Sequence, residues 1–250
     1  MSIFRILSTT VLSLTFATAA YAETAAPLTK VDVQAIVKET LINDPEIIMN
    51  ALEKLRQQKA EDAKKEGRAA IDKNKAELFA DANSPSIGPA NADVTVVEFY
   101  DYHCGYCKHF LGDLTKLVSA DKNVRVVFKD FPILSEDSVT AARAAIAVNR
   151  IAPKKFFDYH TALMAEKGKF DEARLLEIAK SNGIDSAKLK AEMAKPEITA
   201  MLDTNRRIAG ELGIRGTPGL VIGNEVIGGA ASLEELQELV AKARAANSKK

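Results

Sequence analysis

The sequence contains two cysteines, and both stand in one Cys-x-x-Cys motif, Cys104-Gly105-Tyr106-Cys107. The motif follows a near-continuous run of β-branched and aromatic residues from Val94 to Tyr100, which predicts a strand buried on both faces. The chain is expected to turn from this strand into a helix at the cysteines. Two cysteines at this spacing after a buried strand indicate a redox-active thiol pair.

The first 22 residues have the three parts of a secretory signal peptide. Arg5 supplies a positive charge, residues 6–20 are apolar or small, and Ala20-Tyr21-Ala22 has the small-x-small form of a cleavage site. We therefore predict a mature start at Glu23 and export to the periplasm. A transmembrane anchor is the alternative, but the apolar run is shorter than the ~20 residues that a spanning helix needs.

Export changes what the cysteine pair is expected to do. In an oxidising compartment, a disulfide within Cys-x-x-Cys closes a very small loop and constrains little chain entropy, so a purely structural role is the weaker interpretation. The 34 basic and 34 acidic residues balance, and this composition gives no indication of nucleic-acid binding. No cofactor and no dedicated metal site are predicted.

Residues 23–75 predict a helical extension. One apolar stripe runs from Val31 to Ile42, Asp44-Pro45 restarts the helix, and a second stripe runs from Ile47 to Leu55. These helices have too little surface for a core of their own, so they must bury that face on the rest of the chain or on other copies. Residues 56–75 are highly charged and predict either a solvated spacer or an exposed helix lying on the catalytic domain.

Residues 76–250 predict an α/β domain. A second strand is expected at Asn123–Phe128, an all-helical block at about 134–213, and a hairpin around Gly223-Asn224. Ser232 begins a capping box that opens a final helix. The predicted order is strand, active-site helix, strand, helical block, hairpin and helix. It gives a small central sheet with helices on both faces and a helical insertion in the middle.

Together, the Cys-x-x-Cys at a strand–helix junction, the helical insertion and Thr217-Pro218 before a late hairpin resemble the thioredoxin fold in its DsbA-like form. The resemblance covers roughly Ala76 to Ala246. The run Phe-Tyr-Asp-Tyr-His-Cys-Gly-Tyr-Cys-Lys at 99–108, with the helical extension, is more similar to the ScsC-type branch, the suppressors of copper sensitivity. This resemblance implies a thiol–disulfide oxidoreductase, and a trimer in some members.

The cysteines are predicted to have different roles. Cys104 would stand at the N-terminus of a helix, where unpaired N–H groups and the helix dipole favour a thiolate nucleophile. Cys107, one turn further on, would resolve the mixed disulfide. His103 either adds positive charge beside Cys104 or points to solvent. The resemblance assigns Glu98 as a buried acid that moves protons to and from Cys107; a strand-end glutamate that reaches water is the alternative.

The resemblance also implies that Thr217 and Pro218 form a cis-proline loop that lies against the Cys-x-x-Cys and offers backbone groups to a substrate chain. Threonine at that position is similar to the isomerase and reductase members, and Tyr106 lacks the imidazole that the strongest oxidants carry there. We therefore favour an isomerase or reductase that acts on unfolded or misoxidised exported proteins. A homo-oligomer formed by the extension and a membrane thiol-redox partner are expected.

Three other functions are consistent with the sequence. A disulfide oxidase of the DsbA type would use the same residues at a more oxidising potential. A copper(I)-binding protein would use soft ligands from Cys104, Cys107, His103 and His109. A holding chaperone would bind apolar chains through the helical block without redox chemistry.

Overall fold

The computed structural model describes residues 27–248. The helices within that range are α1 (Lys30–Asn43), α2 (Glu46–Lys73), α3 (Lys75–Phe79), α4 (Gly105–Ala120), α5 (Glu136–Ile151), α6 (Phe156–Ala165), α7 (Glu172–Ser181), α8 (Ser186–Met193), α9 (Pro196–Glu211) and α10 (Leu233–Asn247). The strands are β1 (Ser86–Ile87), β2 (Val94–Tyr100), β3 (Val124–Asp130), β4 (Gly219–Ile222) and β5 (Glu225–Gly228). The chain divides into two compact units, of which the first ends at Lys54 and the second begins at Leu55.

The second unit is built on a five-stranded mixed sheet with the strand order β1-β3-β2-β4-β5. Strands β2 and β3 are parallel, from Val94 opposite Val124 to Tyr100 opposite Asp130, and α4 connects them. The other three pairings are antiparallel. The predicted order of elements is confirmed. Strand β1 was missed, because two residues are too few to show an alternating pattern.

The sheet has a hydrophobic core on each face, as predicted. In β2, Val94, Val96 and Tyr100 belong to the core that includes α4, α10 and the helical insertion, whereas Val97 and Phe99 belong to the core on the opposite face. This alternation follows from the two-residue period of a strand. Because Glu98 is in phase with Val96 and Tyr100, its side chain is on the face that α4 covers.

The charged stretch after Leu55 is part of α2, and its last turns are not solvated. Gly67, Ala70 and Ile71 are buried, and the last two belong to the core on the second face of the sheet. A Cβ atom on Gly67 would lie 3.3 Å from Cγ2 of Val226, so glycine permits this close approach of helix and hairpin. Ala70 and Ile71 thus belong to this core although they precede residue 76, the predicted start of the α/β domain. The buried side of this part of α2 consists mainly of small residues, so the sequence showed no clear apolar stripe there.

The helical insertion is confirmed and comprises α5 to α9. Side chains of Ser135, Asp171 and Asp185 cap α5, α7 and α8, and Pro196 opens α9. The predicted signal peptide lies outside the described residues. Within residues 27–248, no helix is long and apolar enough to cross a membrane.

Candidate active site

The two cysteines lie at the start of α4, directly beyond the central strand β2. Cys104 is the N-cap of α4, and its sulfur accepts a hydrogen bond from the backbone N–H of Cys107, 3.4 Å away. Both cysteines are unpaired thiols in this structure. Helix N-termini stabilise negative charge, and a sulfur that accepts a helix N–H is in the position where a thiolate gains most from this effect. The predicted strand–turn–helix placement is confirmed.

Cys107 is in a different environment from Cys104. It is fully buried in the first turn of α4, whereas Cys104 retains 6% of its surface exposed. Burial raises the pKa of the Cys107 thiol well above its usual value, and Glu98, when it is ionised, raises this pKa further. Cys107 therefore needs a proton acceptor before it can attack a disulfide.

Glu98 supplies a carboxyl group in the buried layer beneath the cysteines. Its side chain is 1% exposed, so the alternative of a glutamate that reaches water is wrong. Neither of its oxygens has a hydrogen-bond partner within the described structure. Burial raises the pKa of Glu98 to about 8, and the charge of Cys104 acts in the same direction. At neutral pH, Glu98 is therefore mainly protonated, with a pKa suited to proton exchange near pH 7.

The loop before β4 brings two distant residues to the nucleophile. The Thr217–Pro218 peptide bond is cis. The Cys104 thiol donates to the backbone carbonyl of Thr217 at a sulfur–oxygen distance of 3.2 Å. The structure therefore brings Cys104, Cys107, Thr217 and Pro218 together, although more than 100 residues separate the two pairs in sequence.

His103 does not point freely into solvent. Its ring packs against Phe170 with a centroid separation of 4.7 Å, and its Nε2 atom lies 4.0 Å from the carboxylate of Asp137. The side chain is 28% exposed. The His103 side chain thus extends from the turn that carries Cys104 and contacts the helical insertion.

Asp101 is an important residue that sequence reasoning missed. Its carboxylate accepts hydrogen bonds from the backbone N–H groups of His103, Ile133 and Leu134 and from the hydroxyl of Ser138, at 2.7–3.0 Å. Its backbone carbonyl accepts from the N–H of Cys104. Asp101 therefore joins the turn of the nucleophile to the loop before α5. An aspartate directly after a buried strand, at the start of a turn, was the available signal.

Replacing Asp101 by alanine is expected to destabilise the protein by about 3 kcal/mol, because partly buried donors lose their acceptor. Urea unfolding would measure the change. The control is Asp113→Ala, which removes an exposed ion pair with Lys116 and is expected to change stability by less than about 1 kcal/mol. Equal effects of the two substitutions would contradict the role given to Asp101.

Lys108 is a second residue that the sequence did not single out. Its ammonium group donates to the backbone carbonyl of Glu166 and lies 5.8 Å from the ring centroid of Phe170. Burial lowers the pKa of Lys108, while nearby negative groups, Cys104 among them, counteract that shift. The charge of Lys108 is thus within electrostatic range of Cys104.

A layer of buried polar side chains lies beside Glu98. The Tyr102 hydroxyl is 2.9 Å from Nδ1 of His160 and 3.3 Å from the Tyr100 hydroxyl. Burial lowers the pKa of His160 to about 3 and raises that of Asp130 to about 7. His160 is therefore neutral near pH 7. These side chains place polar groups at the carboxyl ends of β2 and β3, within an otherwise apolar core.

The soft ligands proposed for copper do not converge. His109 is exposed on α4, and His103 is held against Phe170. Among residues 27–248, no group of three or more His, Cys, Asp and Glu side chains has a geometry that would hold a metal ion. The two thiols are the remaining pair of soft donors at this site.

The fold and site define the chain as a thioredoxin-fold protein with a thiol pair at a helix N-terminus, a cis-proline loop beside it and a helical insertion. The DSBA-like thioredoxin domain family matches residues 95–241, and the chain belongs to this family of thiol–disulfide oxidoreductases. Residues 30–61 match the N-terminal domain of the copper resistance protein ScsC. The resemblance found in the sequence is therefore confirmed.

Three solved structures illustrate this relationship. A thioredoxin-like oxidoreductase from Silicibacter pomeroyi DSS-3 is 41% identical, covers 69% of this chain and 98% of its own, and has a TM-score of 0.65. Proteus mirabilis ScsC in a transitional conformation is 33% identical over 86% of this chain and 97% of its own, with a TM-score of 0.66. A periplasmic thioredoxin-like protein from Salmonella enterica serovar Typhimurium is 32% identical over 68% and 95%, with a TM-score of 0.63.

Proposed function

We propose that this protein is a periplasmic disulfide isomerase or reductase that acts on unfolded or misoxidised exported proteins. The observation that carries the proposal is the asymmetry of the two thiols. Cys104 caps α4 and faces the Thr217 carbonyl, whereas Cys107 is sealed in the core beside a buried carboxyl group. A similar Salmonella protein is described as periplasmic, which supports the predicted export.

The reaction begins at Cys104. Its thiolate attacks one sulfur of a substrate disulfide, forms a mixed disulfide and releases the other substrate sulfur as a thiolate. In isomerisation, a different substrate thiolate then attacks the mixed disulfide and regenerates Cys104. In reduction, Cys107 attacks instead, so that the enzyme pair becomes oxidised and the substrate is released with two reduced sulfurs.

The other residues have supporting roles in this proposal. The ionised form of Glu98, which is the minor form at pH 7, accepts the proton of Cys107 as that thiol attacks and returns it when the pair is reduced again. Lys108, and His103 when protonated, favour the Cys104 thiolate. Thr217 and Pro218 offer backbone groups to the substrate chain next to the mixed disulfide. A membrane thiol-redox protein would keep the pair reduced.

Refolding of scrambled ribonuclease without added metal tests the proposal. We expect the protein to restore ribonuclease activity catalytically and to reduce insulin when glutathione is present. Equilibration with glutathione would give the reduction potential of the thiol pair. A strong oxidant has a potential of about −120 mV, and isomerases or reductases have lower values. Catalysed oxidation of reduced ribonuclease without rearrangement of the scrambled form would instead favour the oxidase.

The first unit supports self-association into a homo-oligomer, for which we propose a trimer. Helix α1 has no buried residue, and large apolar side chains from Leu28 to Leu55, which is the first residue of the second unit, are exposed. They are Leu28, Val31, Val33, Ile36, Val37, Leu41, Ile42, Ile47, Ile48, Met49, Leu52 and Leu55. An apolar surface of this extent is typical of an interaction surface. An oligomer also places several nucleophiles around one substrate, which favours isomerisation.

Charged substitutions on this surface are expected to dissociate the oligomer. The double variant Ile36→Lys, Ile48→Lys would desolvate two ammonium groups at any apolar interface, which is strongly unfavourable. Light scattering should show the mass fall to that of one chain, with isomerase activity reduced and insulin reduction retained. Lys38→Glu, at an exposed polar position, serves as the control. An unchanged mass in the double variant would rule out assembly through this surface.

A further inference from the structure

Phe170 connects the helical insertion to the active-site turn. It lies in the loop between α6 and α7, and its side chain is fully buried. Its ring packs against the rings of His103 and Tyr102, with centroid separations of 4.7 and 6.2 Å. The ammonium group of Lys108 lies 5.8 Å from the centroid of the same ring. One side chain of the insertion therefore contacts three residues that flank the Cys-x-x-Cys motif.

Hydrogen bonds hold the loop of Phe170 at both of its ends. At the first end, the Glu166 carboxylate accepts from the backbone N–H groups of the next two residues, each at 3.0 Å, and pairs with Arg174 at 2.6 Å. At the other end, the Asp171 side chain accepts from the N–H of Arg174 and caps α7. The position of the Phe170 ring is thus set by contacts within the insertion.

This loop also holds the side chain of Lys108. Its ammonium group donates to the backbone carbonyl of Glu166 while it faces the Phe170 ring. The backbone N–H of Lys108 donates to the carbonyl of Cys104 at 3.1 Å, so the two residues are one helical turn apart. The negative charge of Cys104 raises the pKa of Lys108, against the lowering by burial, which indicates that the two side chains interact. A lysine without such contacts extends into water, where its charge is screened.

We propose that Phe170 is a positioning residue for the thiol–disulfide reaction, whose ring holds the Lys108 ammonium near Cys104 and thereby increases the fraction of this cysteine present as thiolate. This inference rests on the proposed function and adds a residue of the helical insertion to it. The face of an aromatic ring attracts a cation, and a partly buried charge acts more strongly on its neighbours than one in water. Because a stabilised thiolate stabilises the reduced pair, Phe170 also makes the pair more oxidising.

The variant Phe170→Leu tests this role, because leucine keeps an apolar side chain in the core but has no ring face. Alkylation of the reduced protein by iodoacetamide, from about pH 4 to 9, gives the thiolate fraction of Cys104. Cys107 is fully buried and does not compete. We expect the thiolate fraction in the acidic part of this range to fall about threefold. The equilibrium with glutathione should shift about threefold toward the protein disulfide, a reduction potential lower by about 14 mV.

Lys108→Met separates the action of Phe170 on Lys108 from a general effect on packing. It removes the cation without altering the core and should lower the thiolate fraction at least as much as Phe170→Leu. Adding Phe170→Leu to Lys108→Met should have no further effect on alkylation. An unchanged alkylation profile in Lys108→Met would overturn the proposal, whatever the stability of Phe170→Leu.

Phe79→Leu is the matched control. It makes the same exchange in a side chain that packs against the core on the second face of the sheet. Urea unfolding should show a loss of stability, with alkylation and the glutathione equilibrium unchanged. Unchanged alkylation in Phe170→Leu, an equal change in Phe79→Leu, or additive effects of Phe170→Leu and Lys108→Met would each overturn the positioning role alone. Failure of the unsubstituted protein to reduce insulin would instead overturn the proposed function.

Discussion

A Cys104→Ser variant is expected to lose disulfide reduction and isomerisation completely, leaving only the uncatalysed rate. Cys107 cannot take over, because it is fully buried and its thiol has a strongly raised pKa. A thiol in that state has little thiolate with which to attack. Insulin reduction and refolding of scrambled ribonuclease, each followed at neutral pH, would measure the loss.

Cys107→Ser is the matched variant and has the opposite signature. Cys104 retains its helix-capping position, so it should still attack, but its partner can no longer resolve the product. We expect protein–substrate mixed disulfides to accumulate and to disappear on reduction, visible as larger species on a non-reducing gel. Thermal unfolding of both variants provides the folding control. Full turnover by Cys104→Ser would contradict the proposed nucleophile.

The same pair of variants tests the chaperone alternative. A holding chaperone would suppress aggregation of an unfolded protein equally well in the Cys104→Ser variant and in the unsubstituted protein. The redox proposal predicts that disulfide chemistry disappears in Cys104→Ser, whatever remains of aggregation suppression. The two activities are measured separately, so each interpretation has its own readout.

Glu98→Leu is expected to stabilise the fold while it slows the reaction. The carboxyl group has a pKa of about 8 in the folded protein, against an unperturbed value of 4.5. Between these two values the unfolded chain releases this proton while the folded chain keeps it, so stability falls as pH rises from 4.5 to about 8. The penalty that the variant removes amounts to roughly 3 kcal/mol at pH 7 and grows by about 1.4 kcal/mol per pH unit within that window.

The chemical effect of Glu98→Leu should appear in one step. Attack by Cys104 does not require this carboxyl group, whereas resolution by Cys107 requires removal of a proton from a buried thiol. We expect resolution to slow by roughly a hundredfold, the usual contribution of a proton acceptor. Stopped-flow measurement of both steps, with urea unfolding at about pH 5, 7 and 8, gives the comparison.

Two substitutions complete the design for Glu98. Glu98→Gln retains the shape and removes the acid, so it should slow resolution as Glu98→Leu does. Glu238→Gln alters an exposed glutamate and should change neither rate nor stability. A gain in stability that does not depend on pH would show that Glu98 is not protonated in the folded protein near neutrality.

Local sequence patterns were enough to predict the elements that carry the site. The β-branched run of β2 predicts a buried strand, because alternating side chains meet a core on both faces of the sheet. The Ser232 cap acts through hydrogen bonds within three residues, so the sequence alone is enough to predict it. The position of Cys104 at a helix start follows from the same local order.

Burial and long-range placement were beyond local patterns. Whether Glu98 meets water or core depends on α4 and on the insertion, which cover its face of the sheet. The role of Asp101 depends on donors more than 30 residues further along the chain. The burial of the glycine and alanine positions in α2 was not predicted from the sequence. It depends on tertiary contacts such as the close approach of Gly67 to Val226.

The sequence by itself determined where the thiol pair lies, which segments form the longer strands and the helices around it, and that the N-terminal extension carries apolar stripes. Only the tertiary structure decided that the Thr217 carbonyl contacts the Cys104 sulfur and that the Glu98 side chain is buried. The physical reason is the distance along the chain over which each effect acts. Periodicity and capping act over a few residues, whereas desolvation and the meeting of distant loops depend on how the whole domain packs.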